Sequence, residues 1–209
     1  MKQPVWMMIL LILFESFFIL TLVPSNWTQQ VVEKESALLE SRLGSKEHEW
    51  VHAKAKGWFD ASLIDSGVYQ WIYDLLIPTS EQIENSKGME DMGNVWFDWL
   101  EERIQANANA YYHMLSRFAL LLTWLPLFGF LAVIAMFDGE RVWRIKRTNY
   151  DFSSPLLSKL SSRGMLTLVF LMIALFLAPI VLDPLVIPVI IMAECILAGL
   201  LIGNLQKRI

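Results

Sequence analysis

Long apolar stretches constrain this chain more than any other feature of its sequence. Three of them lie in its second half, over Phe118–Phe137, Met165–Leu182 and Leu185–Gly203. Each has about the twenty residues that a helix needs to cross the hydrocarbon core of a bilayer. Glu194 is their one charged residue, and a fourth stretch, Val5–Val23, carries a single charge, Glu15. The pattern predicts an all-α integral membrane protein with four transmembrane helices.

The four stretches divide the chain into six segments. In order they are an anchor helix (1–24), a helical segment (25–117), a second span (118–137), a basic loop (138–164), a transmembrane hairpin (165–203) and a tail (204–209). Lysine and arginine near the ends of spans stay on the cytoplasmic side. Because the 138–164 loop and the tail are rich in these residues, we expect them and both termini in the cytoplasm. The 25–117 segment is then extracytoplasmic.

Apolar residues recur at helical spacing within the 25–117 segment, and no alternating pattern typical of strands is present. The spacing predicts one helix from Thr28, which is placed to cap it, to about Trp58. A second helix is predicted over Ser62–Ile77. A third begins near Val95 and continues into the second span, and residues 81–94 form a loop or a short helix.

The sharpest chemical pattern is an H-E-x-x-H match formed by His48, Glu49 and His52. On a helix the two histidines share a face and could hold zinc, with the glutamate as general base. A catalytic zinc site needs a third ligand, for which the candidates are His113, Glu81 and Glu84. Charged residues surround the motif and no third-ligand motif accompanies it, so we expect no metal and no enzymatic activity. A membrane-anchored zinc metallopeptidase is the alternative.

Polar and small residues within the predicted spans indicate how the helices associate. Glu15 and Glu194 lie near the middle of their spans, where an ionised carboxylate is costly and no lysine or arginine can pair with it. We interpret both as neutral groups that hydrogen-bond between helices, and an ion- or proton-coupled membrane protein is the alternative. Gly199 and Gly203 form a G-x-x-x-G pattern, which lets another helix approach closely.

The basic loop contains Arg141, Arg144 and Arg147 at intervals of three residues, together with Lys146. On a helix leaving the membrane these residues form a basic stripe, which suits anionic lipid headgroups or the acidic surface of a partner. The patch is too small to predict direct nucleic-acid binding. No pattern in the sequence predicts a cofactor.

Around this loop the sequence resembles a known family. Asp138-Gly139, the spaced arginines and Ser154-Pro155 are similar to an inner-membrane protein family of integrating conjugative elements and conjugative plasmids, the TraJ-like companions of conjugative coupling proteins. The resemblance implies a bacterial inner-membrane location, with residues 25–117 in the periplasm. It also implies a non-enzymatic scaffold or adaptor in DNA transfer by type IV secretion. The implied partners are the coupling ATPase and other membrane proteins of that apparatus, and no catalytic residues are implied.

Overall fold

The computed structural model describes residues 5–77, 90–149 and 151–205, and every regular element in these ranges is helical. The α-helices are α1 (Val5–Leu22), α2 (Ser25–Leu43), α3 (Ser45–Phe59), α4 (Val68–Leu76), α5 (Glu90–Thr148), α6 (Pro155–Leu177) and α7 (Val186–Gly203). A π-helical turn, Asp60–Ile64, follows α3 directly. The predicted all-helical class is therefore confirmed for the described residues.

Three helices in the described part of the chain are long and apolar enough to cross a bilayer, namely α5, α6 and α7. They overlap the second, third and fourth predicted spans, which is consistent with a membrane protein. The first predicted span, Val5–Val23, coincides with α1. The prediction that one helix continues into the second span is also confirmed, because α5 runs unbroken through 59 residues.

The helix that overlaps the third predicted span has different bounds from that span. α6 begins at Pro155 instead of Met165, because Ser154 caps it by accepting a hydrogen bond from the Leu157 amide (3.3 Å) and proline suits the first helical position. It ends at Leu177, so Leu182 lies in the connection to α7. Most of the predicted basic loop is helical as well, since α5 extends through Thr148.

Two more predicted helices differ in the 25–117 segment. The helix expected over residues 28–58 is two helices, because Gly44 adopts a φ of 96° that ends α2 and lets the chain turn into α3. Thr28 is not its cap but lies inside α2, where its hydroxyl donates to the Ser25 carbonyl (2.8 Å). The helix expected over Ser62–Ile77 is shortened to α4, which starts after Gly67 with a φ of 75°.

The chain forms two compact units, which are described separately. Unit I comprises residues 13–120 and 177–183, and unit II comprises residues 1–12, 121–176 and 184–209. The core of unit I is apolar and comes from α2, α3 and α5. Its buried side chains include Val31, Leu39, Val51, Ala55, Ile104 and Ala106.

Unit II is organised by contacts between helix backbones. A Cβ atom added to Gly139 of α5 would lie 2.6 Å from the Gly199 carbonyl oxygen of α7, and one added to Gly199 would lie 3.0 Å from the Ala135 oxygen. Gly203 likewise faces Val142, and Gly164 of α6 faces Leu197. At the Gly139–Gly199 crossing the two helices therefore approach more closely than a larger residue would allow.

Candidate functional site

A buried ion cluster in unit I joins α2 to α5. Glu35 follows Val31 and precedes Leu39 by four residues on α2, so its carboxylate lies on the face that packs into the core. His113 and Arg117 are four residues apart on one face of α5. The exposed fractions of Glu35, His113 and Arg117 are only 6%, 4% and 1%. Charged side chains this deeply buried must satisfy one another.

The carboxylate of Glu35 is fully engaged. Arg117 donates two hydrogen bonds to it, from Nε to Oε1 at 2.9 Å and from Nη2 to Oε2 at 2.7 Å. This two-point geometry is the strongest form of arginine–carboxylate contact. His113 Nε2 donates to Oε2 at 2.9 Å, and the Leu182 amide donates to the same oxygen at 3.1 Å.

These contacts set the protonation of Glu35. Burial by itself would raise the pKa of the carboxyl group, because it penalises the charged form. The hydrogen bonds from Arg117 and His113, helped by their charges, outweigh burial and lower the pKa to about 2. Glu35 is therefore an ionised structural acceptor and is unsuited to act as a general acid near neutral pH.

The same cluster holds the chain that connects α6 to α7. Arg117 Nη1 donates to the Ala178 carbonyl at 2.9 Å, and its Nη2 donates to the Ile180 carbonyl. Trp27 Nε1 donates to the Pro179 carbonyl at 2.9 Å. The α6 helix has just ended at this point, so these carbonyls lack the partners that a further helical turn would supply. The Ala178 carbonyl also accepts a hydrogen bond from the Ile180 amide at 2.9 Å. Residues 178–182 are thus fixed to α2 and α5 by their backbone.

A second buried arginine, Arg103, lies 14 residues before Arg117 in α5 and also bonds backbone carbonyls of another element. Arg103 Nη1 donates to the Val23 carbonyl at 2.7 Å and approaches the Thr21 carbonyl at 3.5 Å, at the C-terminal end of α1. Helix C-termini carry partial negative charge, so the guanidinium suits this position. Its Cζ also lies 5.8 Å from the centre of the Trp99 ring.

All three histidines of the chain line one cavity of about 190 Å³ in unit I. His48 Nε2 is hydrogen-bonded to Ser36 Oγ at 2.7 Å, and the ring centres of His48 and His52 are 6.1 Å apart. His113 directs its Nε2 to Glu35. Glu81 and Glu84 lie outside the described residues. Among the residues that the structure describes, no three potential ligands are placed to hold a metal ion.

Glu35, His113 and Arg117 therefore form a structural clamp, which holds α2, α5 and the 178–182 connection together. A family model described as IncC plasmid conjugative DNA transfer protein DtrJ-like matches residues 20–208, which is nearly the whole chain. The chain belongs to the DtrJ-like family. This confirms the resemblance to membrane proteins of conjugative elements, and it gives the chain a role in conjugative DNA transfer. No curated protein and no solved structure matches it significantly.

The predicted basic stripe of this DtrJ-like chain lies at the C-terminal end of α5. Arg144 pairs with Glu140 one turn earlier, and the Arg147 guanidinium lies 5.4 Å from the centre of the Trp143 ring. Lys146 Nζ donates to Asn204 Oδ1 at 2.8 Å and is partly withdrawn from solvent. Arg141, Arg144 and Arg147 are exposed.

The remaining predicted site residues of the DtrJ-like chain lie in helices α1 and α7. Glu194 directs a buried Oε1 to a position without a hydrogen-bond partner among the described residues. The side chain of Glu15 lies outside the described residues. Gly199 and Gly203 lie against α5 of the same chain, so their close approach is made within one molecule.

Sequence reasoning missed three buried charged residues of this DtrJ-like chain, Glu35 and Arg117 of the ion cluster and Arg103 beside the end of α1. A signal for Glu35 was present, because its two helical neighbours at four residues' distance, Val31 and Leu39, are apolar. No comparable signal marks Arg117. It stands immediately before the second apolar stretch, where an arginine ordinarily anchors a span at the interface.

Proposed function

We propose that this chain is a non-enzymatic scaffold or adaptor of the bacterial inner membrane that contacts the coupling ATPase of a conjugative type IV secretion apparatus. In this proposal α1 is a fourth transmembrane span and both termini are cytoplasmic. The segment 25–117 lies in the periplasm. The three long apolar helices support a membrane location, and the family supports a role in conjugation. The partner, the fourth span and the topology are proposed.

The observation that carries the proposal is helix α5. Its 59 residues are about three times the number that a bilayer-spanning helix requires. Its N-terminal half contacts α1 through Arg103, and α2 and the 178–182 connection through Arg117. The other end carries exposed basic side chains. α5 thus combines structural contacts to other helices with a basic C-terminal end. This combination suits a scaffold protein that positions its partner proteins.

The contact surface for the ATPase is proposed to be the exposed guanidinium groups of Arg141, Arg144 and Arg147. Guanidinium groups bind carboxylates through two parallel hydrogen bonds, which a lysine ammonium cannot reproduce. Arg144 already pairs with Glu140 within its own helix, so a stronger acceptor on the partner would have to displace that exposed contact. Diffuse attraction to anionic lipid is the competing role of this surface.

Replacing the three arginines tests this contact. A triple Gln variant should insert normally but lose co-purification with the ATPase and at least about ten-fold in DNA transfer, which corresponds to roughly 1.4 kcal/mol of contact free energy. A triple Lys variant should behave like the Gln variant, because charge alone does not restore bidentate contacts. Rescue by Lys would instead favour lipid attraction.

The matched control removes three exposed positive charges from unit I. Lys34, Lys54 and Lys56 are all exposed, so their triple Gln variant changes the net charge by the same amount. We expect it to keep partner binding and transfer. Full transfer and binding by the triple Arg→Gln variant would contradict the proposed contact surface.

A further inference from the structure

Helix α4 in unit I is amphipathic and leaves part of its apolar face uncovered. Val68, Trp71 and Leu75 follow one another at intervals of three and four residues, which places them on one face. Trp71 and Leu75 each expose 65% of their surface. On the adjoining polar face, Gln70 donates a hydrogen bond to Asp74 at 2.7 Å. The helix therefore has a distinct apolar side that faces outward.

Helix α5 extends this apolar side across the groove that separates it from α4. Tyr73 of α4 contacts Glu101, and Ser62 of the preceding π-helical turn contacts Tyr111, so the chain from this turn through α4 runs antiparallel to α5. With this orientation, helical periodicity places Trp96 and Trp99 on the same side of the groove as the exposed residues of α4. The two tryptophan rings stack with centres 5.1 Å apart, and both are exposed.

The aromatic patch, defined as Val68, Trp71, Leu75, Trp96 and Trp99, continues to the end of α1. Arg103 provides the link. Its guanidinium lies over the Trp99 ring at 5.8 Å and bonds to the Val23 carbonyl at the end of α1. The last turns of α1 expose large apolar side chains, among them Phe14, Phe17, Phe18 and Leu22. An apolar helix surface and a tryptophan-rich patch thus meet within one unit.

We infer that the aromatic patch lies in the boundary between the headgroups and the acyl chains of the bilayer. The 25–117 segment then lies along the membrane at this point. Tryptophan is enriched at this depth because its ring is apolar and its N–H is polar, and three of the five patch residues are tryptophan. Continuity with α1, an apolar helix of membrane-spanning length, favours lipid over a second protein surface.

The charge around the patch specifies the kind of lipid contact. α4 contains no lysine or arginine, and Asp74 borders its apolar face. Arg103, which lies against Trp99, is buried and bonded to the Val23 carbonyl, so attraction of anionic headgroups to basic residues contributes little here. Binding must rest on apolar burial, so zwitterionic phosphatidylcholine vesicles are a sufficient probe.

Depth-dependent quenching in reconstituted full-length protein tests the inference. In a Cys195→Ala background, which removes the single native cysteine, one cysteine is introduced at Leu75 and labelled with an environment-sensitive fluorophore. The vesicles carry a nitroxide at either carbon 5 or carbon 12 of the acyl chain. The Leu75 label should emit at shorter wavelength than in water and be quenched about two-fold or more, with the shallow nitroxide more effective.

Two further positions make the result decisive. A label at Gln70, on the polar face of α4, should remain in water and be unquenched. A label at Ile196, exposed in the middle of α7, should be quenched best by the deep nitroxide. If Ile196 is quenched while Leu75 matches Gln70, the inference is wrong and the membrane placement of the protein stands. If Ile196 is unquenched, both fail.

A third outcome distinguishes lipid from protein. A Leu75 label that emits at short wavelength but is quenched by neither nitroxide would be covered by another protein surface, and this would also overturn the inference. Size-exclusion profiles that match the parent protein show that each labelled variant is folded. Because Leu75 and Gln70 are both exposed, neither replacement removes a core contact.

Discussion

The two units join their helices by opposite chemistry. Unit I places an ionised glutamate, a histidine and an arginine in its interior, where each group satisfies the others and the backbone of a neighbouring connection. Unit II brings α5 and α7 into backbone contact at Gly139 and Gly199 and uses no charge at that crossing. The first arrangement requires every partner to be present. The second requires only that nothing larger than glycine occupies the crossing.

The largest expected effect comes from removing one partner of the ion cluster. Arg117→Met leaves the Glu35 carboxylate buried without its main partner and should lower the free energy of unfolding by about 3–5 kcal/mol. Thermal unfolding in detergent measures this. The matched control is Arg42→Met, which breaks the partly exposed pair with Asp183 and should cost about 1 kcal/mol or less.

A double variant keeps this test informative if Arg117→Met does not fold. Combining it with Glu35→Leu removes both charges, so the double variant should be more stable than Arg117→Met alone. Equal effects of Arg117→Met and Arg42→Met would contradict the clamp.

The second largest effect should be a loss of the stability of unit I in acid. The folded pKa of Glu35, about 2, lies below its ordinary value of 4.5, so its stabilisation is complete above pH 4.5 and disappears as the pH falls towards 2. A shift of this size corresponds to roughly 3 kcal/mol. The groups that face the carboxylate are His113, Arg117 and the Leu182 amide. Unfolding measured from pH 6 to 2 should show this loss.

Glu35→Gln is the control for the acid experiment, because it cannot ionise. Its stability should fall less between pH 4.5 and 2 than that of the unsubstituted protein. Parallel pH profiles for the two proteins would show that other carboxylates cause the acid sensitivity.

A smaller effect is expected from the glycine crossing of unit II. Gly139→Ala places a Cβ 2.6 Å from the Gly199 carbonyl oxygen, so α5 and α7 must separate, at a cost of about 1–3 kcal/mol. Gly129→Ala on the same helix meets no atom within 4 Å and should be neutral or stabilising by up to about 1 kcal/mol. Similar unfolding temperatures for both variants would contradict close packing.

The smallest effect should follow from removing the H-E-x-x-H histidines. The combined change His48→Ala and His52→Ala breaks one hydrogen bond to Ser36 and leaves the ion cluster intact. DNA transfer should stay within a few-fold of the unsubstituted protein. Stoichiometric zinc in the purified protein that is absent from the double variant would instead support a metal site.

Apolar periodicity was sufficient to predict the helical class and the spans after residue 117, because long hydrocarbon-compatible runs admit few alternatives. It failed at Gly44, where a positive φ ends the helix, and at Leu177, where Pro179 disfavours helical geometry at Ala178. The clamp depends on contacts between residues about 80 positions apart, Glu35 with His113 and Arg117. Local pattern carries no information about such pairs.

The way in which Arg117 holds the connection between α6 and α7 has a consequence for sequence divergence. The guanidinium donates hydrogen bonds to the backbone carbonyl groups of Ala178 and Ile180, and every amino acid has such a carbonyl group. As far as these hydrogen bonds are concerned, mutations that change either side chain can accumulate by drift. Glu35 and Arg117 cannot vary independently, because losing either one leaves the charge of the other buried without its main partner, which destabilises the fold. Relatives should therefore keep this pair, or replace both members together, while the segment that the pair holds diverges.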